Sequence, residues 1–283
     1  MSDVRTAAAF ATSWNTLPPG SVYTAEQFED WMRPLGRADV EGRRVLELGC
    51  GNGSLLVHLA RWVPAELVGV DLGASVRSAR ANLAGFARGR IEQADLVTFR
   101  ERGFDLVCSI GVLHHLADPR AGFRAVVANT RPGGAFHCWV YAWEGNAVVR
   151  WLVEPLRRLA CRLPWWLTKH AIAAPLALPF CLYAKTLAAL PAALTSPLPL
   201  AAYCRWIARR EFAFFRHVAF DQLVTPRTTY LRRATVETWL REEPAVDTPT
   251  VYVERRNGNS WKFGGRTRAA AGAAGAPATA VSG

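Results

Sequence analysis

From Val45 onward the chain alternates apolar runs of four to seven residues with stretches of helical period. Strands covered on both faces read as continuous apolar runs, so the pattern predicts a parallel sheet wrapped by helices. Strands are expected at 45–48, 67–70, 90–93, 105–110 and 135–140, and helices at 54–62, 75–86 and 119–130. The third of these helices opens on Asp118-Pro119, a cap followed by a proline whose missing N–H has no helical partner to lose, and Arg131-Pro132-Gly133-Gly134 closes it. A later helix, 235–241, turns Trp239 and Leu240 inward and precedes two short strands, 250–254 and 260–263, joined by an Asn257-Gly258 turn. The expected fold is α/β: a doubly wound, mostly parallel seven-stranded sheet with a helical insertion after the fifth strand.

The insertion, 145–216, breaks the rhythm: it is rich in Leu, Ala and Trp, with prolines at 155, 164, 175, 179, 191, 197 and 199. Helical pieces interrupted by proline are expected there, at 147–161 and 203–215. Residues 1–39 form a leading segment with a helix at 25–32, capped by Thr24 and stopped by Pro34, whose Phe28, Trp31 and Met32 share a face. That face either packs on the main domain or closes over a ligand. Residues 40–144 and 217–266 then make the ligand-binding domain, and the Ala/Gly-rich stretch 267–283 reads as a disordered tail.

The chain of 283 residues has a formal net charge of +11, and its basic residues are nearly all arginine. Such a balance permits nucleic acid or a membrane surface as partner without selecting either. Six cysteines without a C-x-x-C pair read as buried small hydrophobes in a reducing compartment. Residues 1–10 place Asp3 where a leader would be basic and follow Arg5 with no long apolar core, so cytoplasmic residence is expected, with the inner face of a membrane as a peripheral alternative. The histidines show no metal-ligand spacing, and no metal is expected.

The candidate chemistry begins where the first strand ends. Val45-Leu46-Glu47-Leu48-Gly49-Cys50-Gly51-Asn52-Gly53 passes from strand to helix through three glycines, which lets a ligand approach bare backbone. The third glycine comes one residue early for a dinucleotide fingerprint, and Glu47 would repel a pyrophosphate but not a sulfonium or an amino group. This run resembles motif I of the class I S-adenosylmethionine-dependent methyltransferases, small-molecule group (type 11/12-like). The resemblance implies S-adenosylmethionine as cofactor, held by Glu47, Gly49, Gly51, Asn52 and Gly53. Asp71, at the tip of the second strand and followed by Leu72, suits a ribose diol or, alternatively, caps the next helix. By the same resemblance Asp95 would accept the adenine amino group and Leu96 cover the ring, unless Asp95 is a simple turn residue. Ile110 and Gly111 would lie beside the methionine part.

The run Leu113-His114-His115-Leu116 before Asp118-Pro119 also resembles that group, and an Asp/Asn-Pro-Pro-Tyr tetrad is absent there, which argues against amide or adenine nitrogen as acceptor. His114 is the candidate general base, with Tyr141 as the other, and His115 is assigned to holding the loop. Tyr141, Glu144 and Asn146 leave the fifth strand at the edge where open α/β sheets bind ligands, and Tyr230 joins them as a substrate candidate; Glu144 and Asn146 could equally begin the insertion as turn residues. The expected activity is O- or C-methylation of a lipophilic small molecule. The insertion would serve as a dry cap, as a membrane-interfacial surface, or as both. RNA methylation and a non-catalytic cofactor-binding role are the alternatives, and nothing in the sequence specifies an oligomeric state.

Overall fold

A computed structural model describes residues 2–15 and 23–270. Its centre is one seven-stranded sheet: β1 (Arg44–Leu48), β2 (Glu66–Asp71), β3 (Gly89–Gln93), β4 (Phe104–Ile110), β5 (Thr130–Tyr141), β6 (Val246–Arg256) and β7 (Ser260–Thr267). The spatial order is β3-β2-β1-β4-β5-β7-β6, parallel except for β7, which runs antiparallel to both its neighbours. The three-residue turn before β7, 257–259, has Asn257 and Gly258 both at positive φ. Along β1, Leu46 and Leu48 enter the core on one face with Phe123, Phe136 and Trp239, while Val45 packs on the other with Leu59, Leu67 and Phe28. Both faces are therefore dry, and Glu47 sits between Gly69 and Cys108 at the middle of the sheet.

The helices begin with α1 (Ser2–Asn15), which the sequence pattern did not predict, and α2 (Ala25–Met32). Thr24 and Gln27 close a reciprocal capping box on α2, and Phe28 and Met32 are buried against the sheet domain. The flanking helices are α3 (Leu56–Arg61), α4 (Val76–Leu83) and α5 (Pro119–Asn129), the last capped by Asp118 as expected. Arg131-Pro132-Gly133-Gly134 follows α5 but lies inside β5, which is longer than its apolar run suggested.

Within the insertion α6 (Glu154–Ala160) follows a π-helical turn at Val149–Val153. Next come α7 (Trp165–Leu167), a second π-helical stretch at Thr168–Ala173 and α8 (Ala174–Ala189). Each π segment is followed two residues later by a proline, Pro155 or Pro175, whose ring cannot donate the usual i→i−4 bond; widening the turn ahead of it absorbs the defect. Pro175 and Pro179 thus do not interrupt the helix, and Trp165–Ala189 is continuous over 25 residues, while Pro164, Pro191, Pro197 and Pro199 fall at breaks between helices, as expected. The helix expected at 203–215 is instead two, α10 (Ala201–Ile207) and α11 (Phe212–Val224), after the short α9 (Ala192–Thr195). The polar run Arg209-Arg210-Glu211 makes the corner, which lets both helices pack on α8. α11 runs across the expected boundary at 216, so the last insertion helix leads directly back toward the sheet, which closes after α12 (Arg233–Glu242). Thr267 lies in β7, and residues 271–283 of the expected tail fall outside the described residues.

Candidate functional site

A cavity of about 880 Å³ lies beyond the C-terminal ends of the parallel strands, where ligands of open α/β sheets bind. Its floor is the glycine loop after β1 and the ends of β2, β4 and β5. Its walls are α1, α2 and the inner faces of the insertion helices. One space therefore runs from the glycine loop to an apolar end among Leu152, Leu156, Leu176 and Phe180.

At the loop end, Gly49 N and Cys50 N both donate to the Val70 carbonyl, at 2.7 and 3.0 Å. Gly51 N donates to Asp71 Oδ2 at 2.9 Å, and Gly73 N to Asp71 Oδ1 at 2.7 Å. Asp71 thereby ties two loops together and still has lone pairs to offer a diol; burial pushes its carboxyl above the ordinary range, opposed by those hydrogen bonds. Gly49, at φ +85°, is irreplaceable on two counts, because a Cβ there would also lie 2.4 Å from Val112 Cγ2. Asn52 faces the cavity with its side-chain oxygen already accepting from Ser54 N and Oγ, so it braces the loop. Leu72, Leu96, Ile110 and Gly111 line the cavity as expected, and so does Asp95, one of whose oxygens closes a turn by accepting from Val97 N at 2.8 Å. Gly53 does not line it: its Cα is turned onto α4, where a Cβ would come within 3.1 Å of Ala79 Cα.

Glu47 supplies the test of what the loop can hold. It is 1% exposed, its Oε2 has no hydrogen-bond partner, and burial pushes its carboxyl up to about 8, with the Asp71 charge adding to the shift. A buried acceptor in a glycine cradle fits a ligand that brings positive charge and N–H donors. Those are what the ammonium and sulfonium of S-adenosylmethionine provide, while Asp71, Asp95 and Leu96 suit its ribose and adenine.

At the other end the structure rearranges the candidates. His114 is fully buried, does not line the cavity and has neither ring nitrogen hydrogen-bonded, and burial holds its pKa well below the ordinary imidazole value. His115 is the one that reaches the cavity; its Nδ1 donates to the Arg227 carbonyl at 2.9 Å, and burial lowers it to about 4. Tyr141 lines the cavity, but burial raises its phenol, so it is a hydrogen-bond donor there and not a base at neutral pH. Glu144 is not at the site: it accepts from Arg233 N at 3.3 Å, bracing the start of α12, and from Trp261 Nε1 at 3.2 Å. Asn146 lines the cavity with both amide hydrogens committed, to the carbonyls of Ala142 and Asn259 at 2.7 and 2.6 Å. It thereby braces the turn while remaining on the cavity wall. Tyr230 lines the cavity, stacked on Tyr141 with ring centroids 6.1 Å apart.

Trp31, on the face expected either to pack or to close over a ligand, is joined at the cavity by residues that were given no site role. Trp14, Tyr23 and Trp31 form an edge-to-face series along one wall, with centroids 5.4 and 4.5 Å apart, and Gln222, His217 and Asp221 project from α11. Among the described residues no group of three or more His, Cys, Asp or Glu side chains is arranged to hold a metal.

The strand order, the glycine loop and the acids at the end of β2 and after β3 are those expected of a class I S-adenosylmethionine-dependent methyltransferase domain. In agreement, residues 46–136 match the family described as Methyltransferase domain. The chain is 33% identical over 105 residues to a ubiquinone biosynthesis O-methyltransferase of Neisseria meningitidis, covering 35% of this chain and 44% of that protein. It is 38% identical over 104 residues to a fatty-acid O-methyltransferase of Mycolicibacterium smegmatis, covering 35% and 38% respectively. The chain thus spans less than half the length of these curated relatives. A solved O-methyltransferase family protein from Burkholderia thailandensis shares the fold, with a TM-score of 0.50 at 14% identity over 86% of this chain and 56% of that one.

Proposed function

We propose that this protein transfers a methyl group from S-adenosylmethionine to an oxygen of a lipophilic small molecule. The observation that carries the reading is the continuity of the cavity: the glycine loop, Glu47 and Asp71 line one end, and aliphatic side chains of the insertion line the other. The cofactor supplies an electrophilic methyl carbon with a good leaving group already attached. The work left to the protein is to align the acceptor with that carbon and to keep water out. Ile110 and Gly111 floor the meeting point, the aromatic wall excludes water, and Tyr141 and Tyr230 can orient an acceptor by hydrogen bonding. The O-methyltransferases among the relatives support oxygen as the acceptor. Calorimetry should give one S-adenosylmethionine site, and removing residues 165–200 should abolish methyl transfer to lipophilic acceptors while leaving that site. Full turnover without the segment would exclude the cap role, and no binding at millimolar cofactor would overturn the whole reading.

We also propose that the insertion rests on an anionic bilayer. Val148, Leu152, Leu176 and Leu198 both line the cavity and are 39–66% exposed, so the apolar end opens through an aliphatic mouth. On the same insertion Trp151, Trp166, Leu182 and Leu194 are exposed, and so are Arg158, Arg162 and Arg209. The helix Trp165–Ala189 is long and apolar enough to cross a membrane, but only 28% of its apolar window is buried, unlike a core helix. Apolar surface with cations beside it suits a headgroup interface.

A further inference from the structure

Arg157 reads in the sequence as one more base flanking the insertion, yet it is 1% exposed. Its Nε donates to the Gln222 carbonyl at 2.7 Å, and its Nη2 to the Tyr230 hydroxyl at 3.1 Å. Nη1 lies 2.8 Å from Glu154 Oε2, an ion pair by distance though not aligned as a hydrogen bond. Gln222 in turn donates from Nε2 to the Tyr141 hydroxyl at 2.9 Å. The consequence is a matter of counting protons. Each phenol oxygen receives a hydrogen bond from behind, so each keeps its own O–H to give, and both phenols line the cavity. Glu154 pairs with the guanidinium from the outer, partly exposed side, which leaves its Nη2 edge facing the Tyr230 phenol.

Resting on the proposed methyl transfer, we infer that Tyr141 and Tyr230, polarised by Gln222 and Arg157, bind the carboxylate of a lipophilic acid, and that the product is its methyl ester. Two O–H donors backed by a cation match an anion with two oxygens, and charge-assisted hydrogen bonds are the strong ones. The chemistry agrees with the neighbouring imidazoles. His114 and His115 lie with ring centroids 4.2 and 5.9 Å from Tyr141, and burial keeps both neutral and weakly basic. A hydroxyl acceptor would need a base at that place; a carboxylate arrives ionised. One carboxylate oxygen attacks the methyl carbon, the carbon–sulfur bond breaks with its electron pair going to sulfur, and no proton moves. Arg157 acts through Tyr230, so it is a positioning residue.

The experiment compares dodecanoic acid, dodecan-1-ol and a 4-alkylphenol as acceptors, with methyl ester or ether read by mass spectrometry. Quenching of the cavity tryptophans measures binding independently of turnover. The acid should be methylated and the other two not. Tyr230→Phe should raise the KM for the acid about tenfold or more, the loss expected for one hydrogen bond to a charged group, with a smaller change in kcat and an unchanged S-adenosylmethionine affinity. Preferred methylation of the alcohol or phenol would overturn the inference, as would equal binding of acid and alcohol, or a Tyr230→Phe effect shared by all three. Loss of cofactor binding by the wild-type protein would instead strike the methyltransferase reading itself.

Discussion

Replacing Glu47 by Gln tests the electrostatics of the loop most directly. The carboxyl is wholly buried, lacks a partner at Oε2 and is pushed from an ordinary 4.5 to about 8. An acid whose pKa is higher folded than unfolded favours the folded state while it is protonated. That contribution is complete below about 4.5, declines as pH rises and is gone by about 8. At 1.36 kcal/mol per pH unit, the stability lost to this one group across that window is about 5 kcal/mol, a large share of the stability of an ordinary domain. Glutamine cannot ionise, so the variant should not show this loss. Its own buried amide costs about 1–3 kcal/mol, but that offset is constant with pH and cancels in the comparison. Urea unfolding at a series of pH values, without cofactor, should therefore show wild-type stability falling relative to Glu47→Gln from pH 5 to 8, then running parallel. S-adenosylmethionine should bind the wild type more tightly as pH approaches 8, because its positive charge stabilises the ionised carboxylate, and the variant should lack that trend. Two stability curves parallel throughout the range would refute the assignment of a buried, unpartnered acid.

Gly49→Ala should be damaging for a separable reason: left-handed backbone and overlap with Val112 each cost about 1–3 kcal/mol, so calorimetry should show a markedly lower Tm and cofactor affinity should fall with it. An unchanged Tm would mean that the loop is not held as described. For the membrane reading, flotation with vesicles containing phosphatidylglycerol should carry the protein upward, and the double change Trp151→Glu with Trp166→Glu should leave it at the bottom. Equal flotation of both, or none of the wild type, would set that reading aside.

Most of the sheet was legible in the sequence, and so were most of the residues that line the glycine-loop end of the cavity. Strand runs buried on both faces, the glycine loop and the acids at strand tips are local signals, written within a few residues of where they act. Asp71, Asp95, Leu96 and the Ile110-Gly111 turn accordingly line the cavity as anticipated. The same locality explains the errors. His114 and His115 are adjacent in the chain and chemically identical, and only the packing of the loop against the segment carrying Arg227 decides which imidazole reaches the cavity. Glu144 looked like a substrate ligand because it leaves the sheet at the correct edge, yet its partners, Arg233 and Trp261, lie 89 and 117 residues away. Arg157 shows the limit most plainly. In the chain it is one arginine among many, and its burial depends on α6, α11 and the Tyr230 segment meeting. What the sequence determined by itself was the fold class and the cofactor; which side chains meet an acceptor was decided by helices packing across long separations, since contacts of that kind have no periodicity for a sequence to display.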